Sequence, residues 1–146
     1  MKKVVKFGGS SLASAEQFIK VGNIIRTDKD RRYVVPSAPG KRFSDDTKVT
    51  DLLYSCYELA ERGQAFSKQL NQIKERYNEI IHGLHLKFSL DDDFDTIKKK
   101  FLDKAGSMYA ASRGEYLNGK IMAKYLGYEF IDAANVIRFH SDGTCD

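Results

Sequence analysis

The chain has 146 residues, 42 % of them hydrophobic, which suits one ordinary domain with a core of its own. Twenty-four Lys and Arg against twenty Asp and Glu leave a formal net charge of +4. The basic residues are scattered apart from Asp30-Arg31-Arg32, Lys41-Arg42 and Lys98-Lys99-Lys100, a balance that suits a small anionic ligand and does not point to nucleic acid. No apolar run has the length that a bilayer demands, and Lys6 with the glycine pair after it interrupts any signal-peptide core, so neither secretion nor membrane insertion is expected.

Residues 3–7 are short, β-branched at Val4 and Val5 and stopped by Gly8-Gly9, which reads as a strand entering a tight loop. Ser14-Ala15-Glu16-Gln17 then has the spacing of a capping box, and Phe18, Val21, Ile24 and Ile25 recur at helical intervals. A second strand is expected at 32–35, running into Pro36-Ser37-Ala38-Pro39-Gly40, where two prolines and a glycine force a loop. Strand, glycine loop, helix, strand and loop spell the opening of an α/β unit with parallel strands.

From Thr50 to Leu126 the periodicity is helical almost without a break. Leu52, Leu53, Cys56, Leu59 and Ala60 form one apolar stripe, closed by Gly63; Phe66, Leu70, Ile73, Tyr77, Ile80, Ile81 and Leu84 form a second. A third, Phe94, Ile97, Phe101, Ala105 and Met108, follows the Asp91-Asp92-Asp93 run, whose charges favour a helix amino terminus. The fourth is Leu117, Ile121, Met122, Tyr125 and Leu126, with Gly127 placed to end it. Strand character returns at 128–131, Asp132-Ala133-Ala134 is a turn, 136–139 is a further strand, and 141–146 is a loose end. The two cysteines, Cys56 and Cys145, lie far apart without redox or zinc spacing, which implies a reduced, cytoplasmic protein. His82, His85 and His140 make no ligand set, and no metal site is expected from them.

The segment Lys6-Phe7-Gly8-Gly9-Ser10-Ser11 puts a lysine, two glycines and two hydroxyls at the carboxyl end of a strand, where ligands bind in open α/β sheets. Glycine backbone N–H groups can approach a phosphate, and a lysine can neutralise charge on a phosphoryl group in transfer. A plain strand-to-helix turn with a solvated lysine is the alternative. The spacing is not that of a P-loop, since the lysine precedes the glycines.

This opening resembles the K-F-G-G-[ST]-S signature of aspartokinases, in the amino-acid kinase superfamily. Two further segments agree in order: Val34-Val35-Pro36-Ser37-Ala38-Pro39-Gly40 with Thr50-Asp51-Leu52-Leu53 resembles V-V-x-S-A-x-G followed by T-D-x-L, and Ser112-Arg113-Gly114-Glu115 resembles S-x-G-E. The resemblance implies a three-layer αβα sandwich of the amino-acid kinase type, of which residues 1–146 would be the amino-terminal, amino-acid-substrate lobe with a large helical insertion. The nucleotide-binding half and the ACT domains would be absent. It implies phosphoryl transfer from MgATP to the side-chain carboxylate of L-aspartate, giving 4-phospho-L-aspartate on the route to lysine, methionine and threonine. Lys6, Gly8, Gly9 and Ser10 would face the ATP phosphates, with Lys6 catalytic; Ser37, Thr50 and Glu115 would hold aspartate. A homo-oligomer is implied for the full-length protein. Residue types alone leave alternatives open: Thr50 before an apolar stripe is an ordinary N-cap, and Ser112 with Glu115 has capping-box spacing. Kinases of other amino acids, or a non-catalytic lobe that needs a second half, are the competing functions.

Overall fold

The computed structural model describes residues 1–135. The strand expected at 136–139, His140, Cys145 and the tail lie outside the described residues.

Two β-branched runs meet first. Strand β1 (Lys3–Phe7) and strand β2 (Arg31–Pro36) pair in parallel, with Val5 opposite Val34, Lys6 opposite Val35 and Phe7 opposite Pro36, and a register shift between Lys3 and Val4. Helix α1 (Ala15–Arg26) is the crossover between them. It starts where the capping box places it, because the Ser14 hydroxyl accepts the Gln17 N–H at 3.4 Å, and it turns Phe18, Val21 and Ile25 inward. A short 3-10 turn over Gly9–Leu12, not foreseen in the sequence, links β1 to α1 and buries Leu12.

Four helices follow: α2 (Val49–Glu61), α3 (Ser67–Gly83), α4 (Asp91–Leu102) and α5 (Ser107–Leu126). Helix α2 packs on α3, α4 and α5, and its stripe of Leu53, Cys56, Tyr57 and Ala60 is buried among them. The Tyr57 and Phe101 rings meet edge-on at 5.2 Å. Helix α5 lies along β2 and touches α1, where the Tyr125 ring occupies the space that a side chain at Gly22 would need.

Two expectations need correction. The third stripe does not continue through Ala105 and Met108: α4 ends at Leu102, Lys104 and Gly106 take positive φ values of 57° and 107°, and Met108 belongs to α5 with 84 % of its surface exposed. Residues 128–131 are not a strand in the described structure and pair with neither β1 nor β2; Phe130 packs edge-on against Tyr116 at 5.6 Å. The described residues form a mixed α/β arrangement that is mostly helical, with a two-stranded parallel sheet. Val5, Phe7 and Val34 face the helices, whereas Val4, Lys6, Tyr33 and Val35 alternate onto an uncovered face, Val4 with 69 % exposure.

Candidate functional site

The carboxyl ends of both strands run into glycine loops, and the loops interlock. The Ser37 N–H extends the sheet by donating to the Phe7 carbonyl at 3.1 Å, and the Gly40 N–H donates to the Gly9 carbonyl at 2.8 Å. A Cβ on Gly40 would lie 2.7 Å from the Gly9 carbonyl carbon, and one on Gly9 would lie 2.9 Å from the Ala38 carbonyl oxygen. Glycine is thus required at both positions by close backbone approach. Gly8 is different: its φ is −77° and no atom lies within 4 Å of where its Cβ would be, so nothing described requires glycine there. No hydrogen bond from the Gly9 or Ser10 N–H to another described residue is formed.

Helices α2 and α5 close on the second loop. The Val49 N–H donates to the Pro39 carbonyl at 3.1 Å, fastening the start of α2 to the loop. Gly114 of α5 is so close that a Cβ there would lie 2.7 Å from the Ala38 Cβ and 3.3 Å from Leu53 Cδ1. Ala38 follows Ser37, Gly114 precedes Glu115, and Leu53 lies one helical turn after Thr50. This one contact therefore draws the three segments carrying Ser37, Thr50 and Glu115 together.

Both capping alternatives fail on geometry. Helix α2 begins at Val49 with Lys48 in the N-cap position, so Thr50 is already inside the first turn. Ser112 and Glu115 lie in the middle of α5, and the Ser112 hydroxyl donates to the Tyr109 carbonyl at 2.7 Å. Among the described residues, the exposed Glu115 carboxylate has no ion pair and the half-buried Thr50 hydroxyl has no hydrogen bond. Lys6 is placed otherwise. It projects from the uncovered face of the sheet, opposite the side where α2 and α5 pack, and is not part of the Ala38–Gly114–Leu53 contact. Asp132 has a local role, its carboxylate accepting the Ala134 N–H at 3.0 Å.

Several buried polar groups that support these loops went unnoticed in the sequence. Tyr77, fully buried, donates its hydroxyl to the Gly114 carbonyl at 2.8 Å, and burial pushes its pKa far above the ordinary value, so it stays a donor. Arg76 donates to the Gly40 carbonyl at 2.7 Å and the Thr47 carbonyl at 2.9 Å, tying both ends of the 40–47 loop to α3. Its guanidinium lies 3.5 Å from the Asp46 carboxylate, and burial lowers its pKa. Arg42 grips the same carboxylate at 2.7 Å and 3.1 Å; that hydrogen bonding, aided by backbone N–H groups and Arg76 and opposed by burial, holds Asp46 well below the usual carboxylate range. Asn118 of α5 donates to the Ser37 carbonyl at 2.8 Å. The signal for Arg76 and Asn118 was present: each is a polar residue at a position where the apolar stripe of its helix would place a hydrophobe. A cleft of about 270 Å³ beside α3 is lined by Arg42, Asp46, Thr47, Gln72, Glu75 and Arg76 among others, and by none of Lys6, Ser37, Thr50 or Glu115.

No family model matches the chain. Aspartokinase 3 of Bacillus subtilis is 39 % identical over 145 residues, covering 92 % of this chain and 31 % of that protein. The crystal structure of aspartate kinase from Clostridium acetobutylicum superposes with a TM-score of 0.95 at 50 % identity, over 100 % of this chain and 34 % of that one. Aspartokinase III of E. coli, crystallised with aspartate and ADP, shares the fold with a TM-score of 0.78 at 20 % identity, over 100 % of this chain and 35 % of its own. The chain spans about a third of the length of the relatives it matches.

Proposed function

From a chain that belongs to the aspartokinase family along about a third of its relatives' length, we propose that it forms the amino-terminal, aspartate-facing side of an aspartokinase active site. The observation that carries this reading is the meeting of the segments that bear Ser37, Thr50 and Glu115 at the Ala38–Gly114–Leu53 contact, with the Glu115 carboxylate unpaired among the described residues. A free α-ammonium leaving water needs an anionic partner, and Glu115 supplies one. Thr50 and Ser37 offer hydroxyls to orient the same ligand from α2 and from the loop, leaving its side-chain carboxylate free to act as nucleophile.

The phosphate side is the first glycine loop. The open space above Gly8 and the unengaged Gly9 and Ser10 N–H groups fit phosphoryl oxygens, which need donors and close backbone approach. ATP with its Mg2+ would supply the phosphoryl group that the aspartate carboxylate attacks. Lys6 would reach round the strand end to neutralise charge on that group. Positioning and charge stabilisation then account for most of the chemistry, since phosphoryl transfer needs little covalent help. Turnover would need more polypeptide than is described here, because Lys6 stands on a sheet face that nothing described covers.

A coupled ADP-release assay with L-aspartate and MgATP tests this reading, run on the chain alone and on the chain mixed with the remaining two thirds of a related aspartokinase. The mixture is expected to turn over and the chain alone to be silent. Silence in both, with the two pieces shown to associate, would contradict the reading.

A further inference from the structure

Ser37 is gripped from both sides of its own peptide units. Its N–H is fixed on β1 through the Phe7 carbonyl at 3.1 Å, and its carbonyl accepts the Asn118 side-chain N–H at 2.8 Å. Asn118 comes from α5, one helical turn beyond Gly114, and is 0 % exposed. Its Oδ1 is buried without a partner among the described residues. The orientation of the amide follows from Ser37, since the reversed amide would set oxygen against carbonyl oxygen. A buried acceptor without a donor costs stability, so a side chain serving packing alone at this point would be apolar. What the amide provides is the second clamp on Ser37.

We infer that Asn118 is a positioning residue of the aspartate site: by holding the Ser37 carbonyl to α5 it fixes the Ser37 hydroxyl relative to Glu115 on the same helix. This rests on the reading of Ser37 and Glu115 as aspartate contacts. Asn118 itself touches no substrate. It adds a direct hydrogen bond between a loop residue and a helix residue whose neighbours Ala38 and Gly114 are already in van der Waals contact, and so holds the two in one rigid unit.

The test uses Asn118→Asp, which keeps the shape and makes the donor titratable. Near pH 5 a buried carboxyl, its pKa raised by burial and by the facing carbonyl, is protonated and can donate to Ser37; near pH 8 it is ionised and repels that oxygen. L-Aspartate affinity is followed by NMR titration at both pH values, with the wild-type protein measured in parallel as the reference for every pH effect not due to the substitution, and with circular dichroism confirming the fold. The variant is expected to bind within about threefold of wild type near pH 5 and at least about tenfold more weakly near pH 8. Asn118→Leu, which removes the donor without adding charge, is expected to be weaker by about tenfold at both, and stands in should the aspartate variant unfold near pH 8. Wild-type affinity in folded Asn118→Leu, or no dependence on pH in Asn118→Asp, would overturn the inference while the aspartate reading stands. Absence of aspartate binding by the wild-type chain would overturn that reading, and the inference with it.

Discussion

Asp46 and Arg76 are almost wholly out of water, with side-chain exposures of 9 % and 5 %, and together with Arg42 they hold the loop that leaves Gly40. A charge pair of this kind says little about net stability, but breaking it strands a charge. Asp46→Asn is expected to cost about 3 kcal/mol in urea unfolding at neutral pH, chiefly by leaving Arg76 uncompensated. The pH dependence has a definite sign. Because the folded pKa of Asp46 lies below its ordinary value of 3.8, the stabilisation is complete above that value and is lost as pH falls below it. Melting temperature should therefore drop steeply below about pH 4 in the wild type and less steeply in Asp46→Asn. Residues of this kind are half legible in a sequence, where the charge stands out but its partners do not. Arg76 lies among Ile73, Tyr77 and Ile80 like any stripe position, and only the fold reveals that two carbonyls and a carboxylate await it. Cys56, by contrast, was legible: it lies on the apolar side of α2, and burial pushes its thiol up to about 12.

Between elements, the decisive contact is α5 against the 37–40 loop, and it depends on Gly114 lacking a side chain. Ala is the better helix former by about 1 kcal/mol, so Gly114→Ala would stabilise an isolated α5. Here the new methyl meets Ala38 at 2.7 Å, an overpacking that costs about 1–3 kcal/mol and outweighs the propensity gain. Gly114→Ala is expected to lower stability by about 1 kcal/mol and to weaken aspartate binding, and adding Ala38→Gly should restore both, a coupling that a double-mutant cycle measures. If the two substitutions proved additive, the close approach would not be what aligns α5 with the loop. The sequence foretold which helices exist better than where they begin. Ala105 and Met108 keep helical spacing after Phe101, so periodicity runs across the break that Lys104 and Gly106 make with positive φ. Thr50 was a plausible cap because the start of α2 depends on a contact from elsewhere in the chain, Val49 to Pro39, that local spacing does not contain. Residues 128–131 have strand-forming side chains yet pair with neither β1 nor β2 in the described structure.

For the whole molecule, the order of the three motifs was legible because each sits at a strand end or a close helix contact, where backbone geometry limits which residues fit. The open face of the sheet at Val4, Tyr33 and Val35 was not, because nothing in those strands tells an uncovered face from a covered one. The same face carries Lys6, so the proposed phosphate side and the proposed aspartate side meet only at the strand ends, at Gly8-Gly9 and Ser37. An NMR titration of the chain with L-aspartate tests the central claim most directly. Saturable shifts are expected at the amides of Ser37, Thr50 and Glu115, and Glu115→Gln should weaken binding at least about tenfold while leaving stability within about 0.5 kcal/mol, as befits an exposed mid-helix residue. No shift at these amides, or an unchanged affinity in Glu115→Gln, would contradict the account.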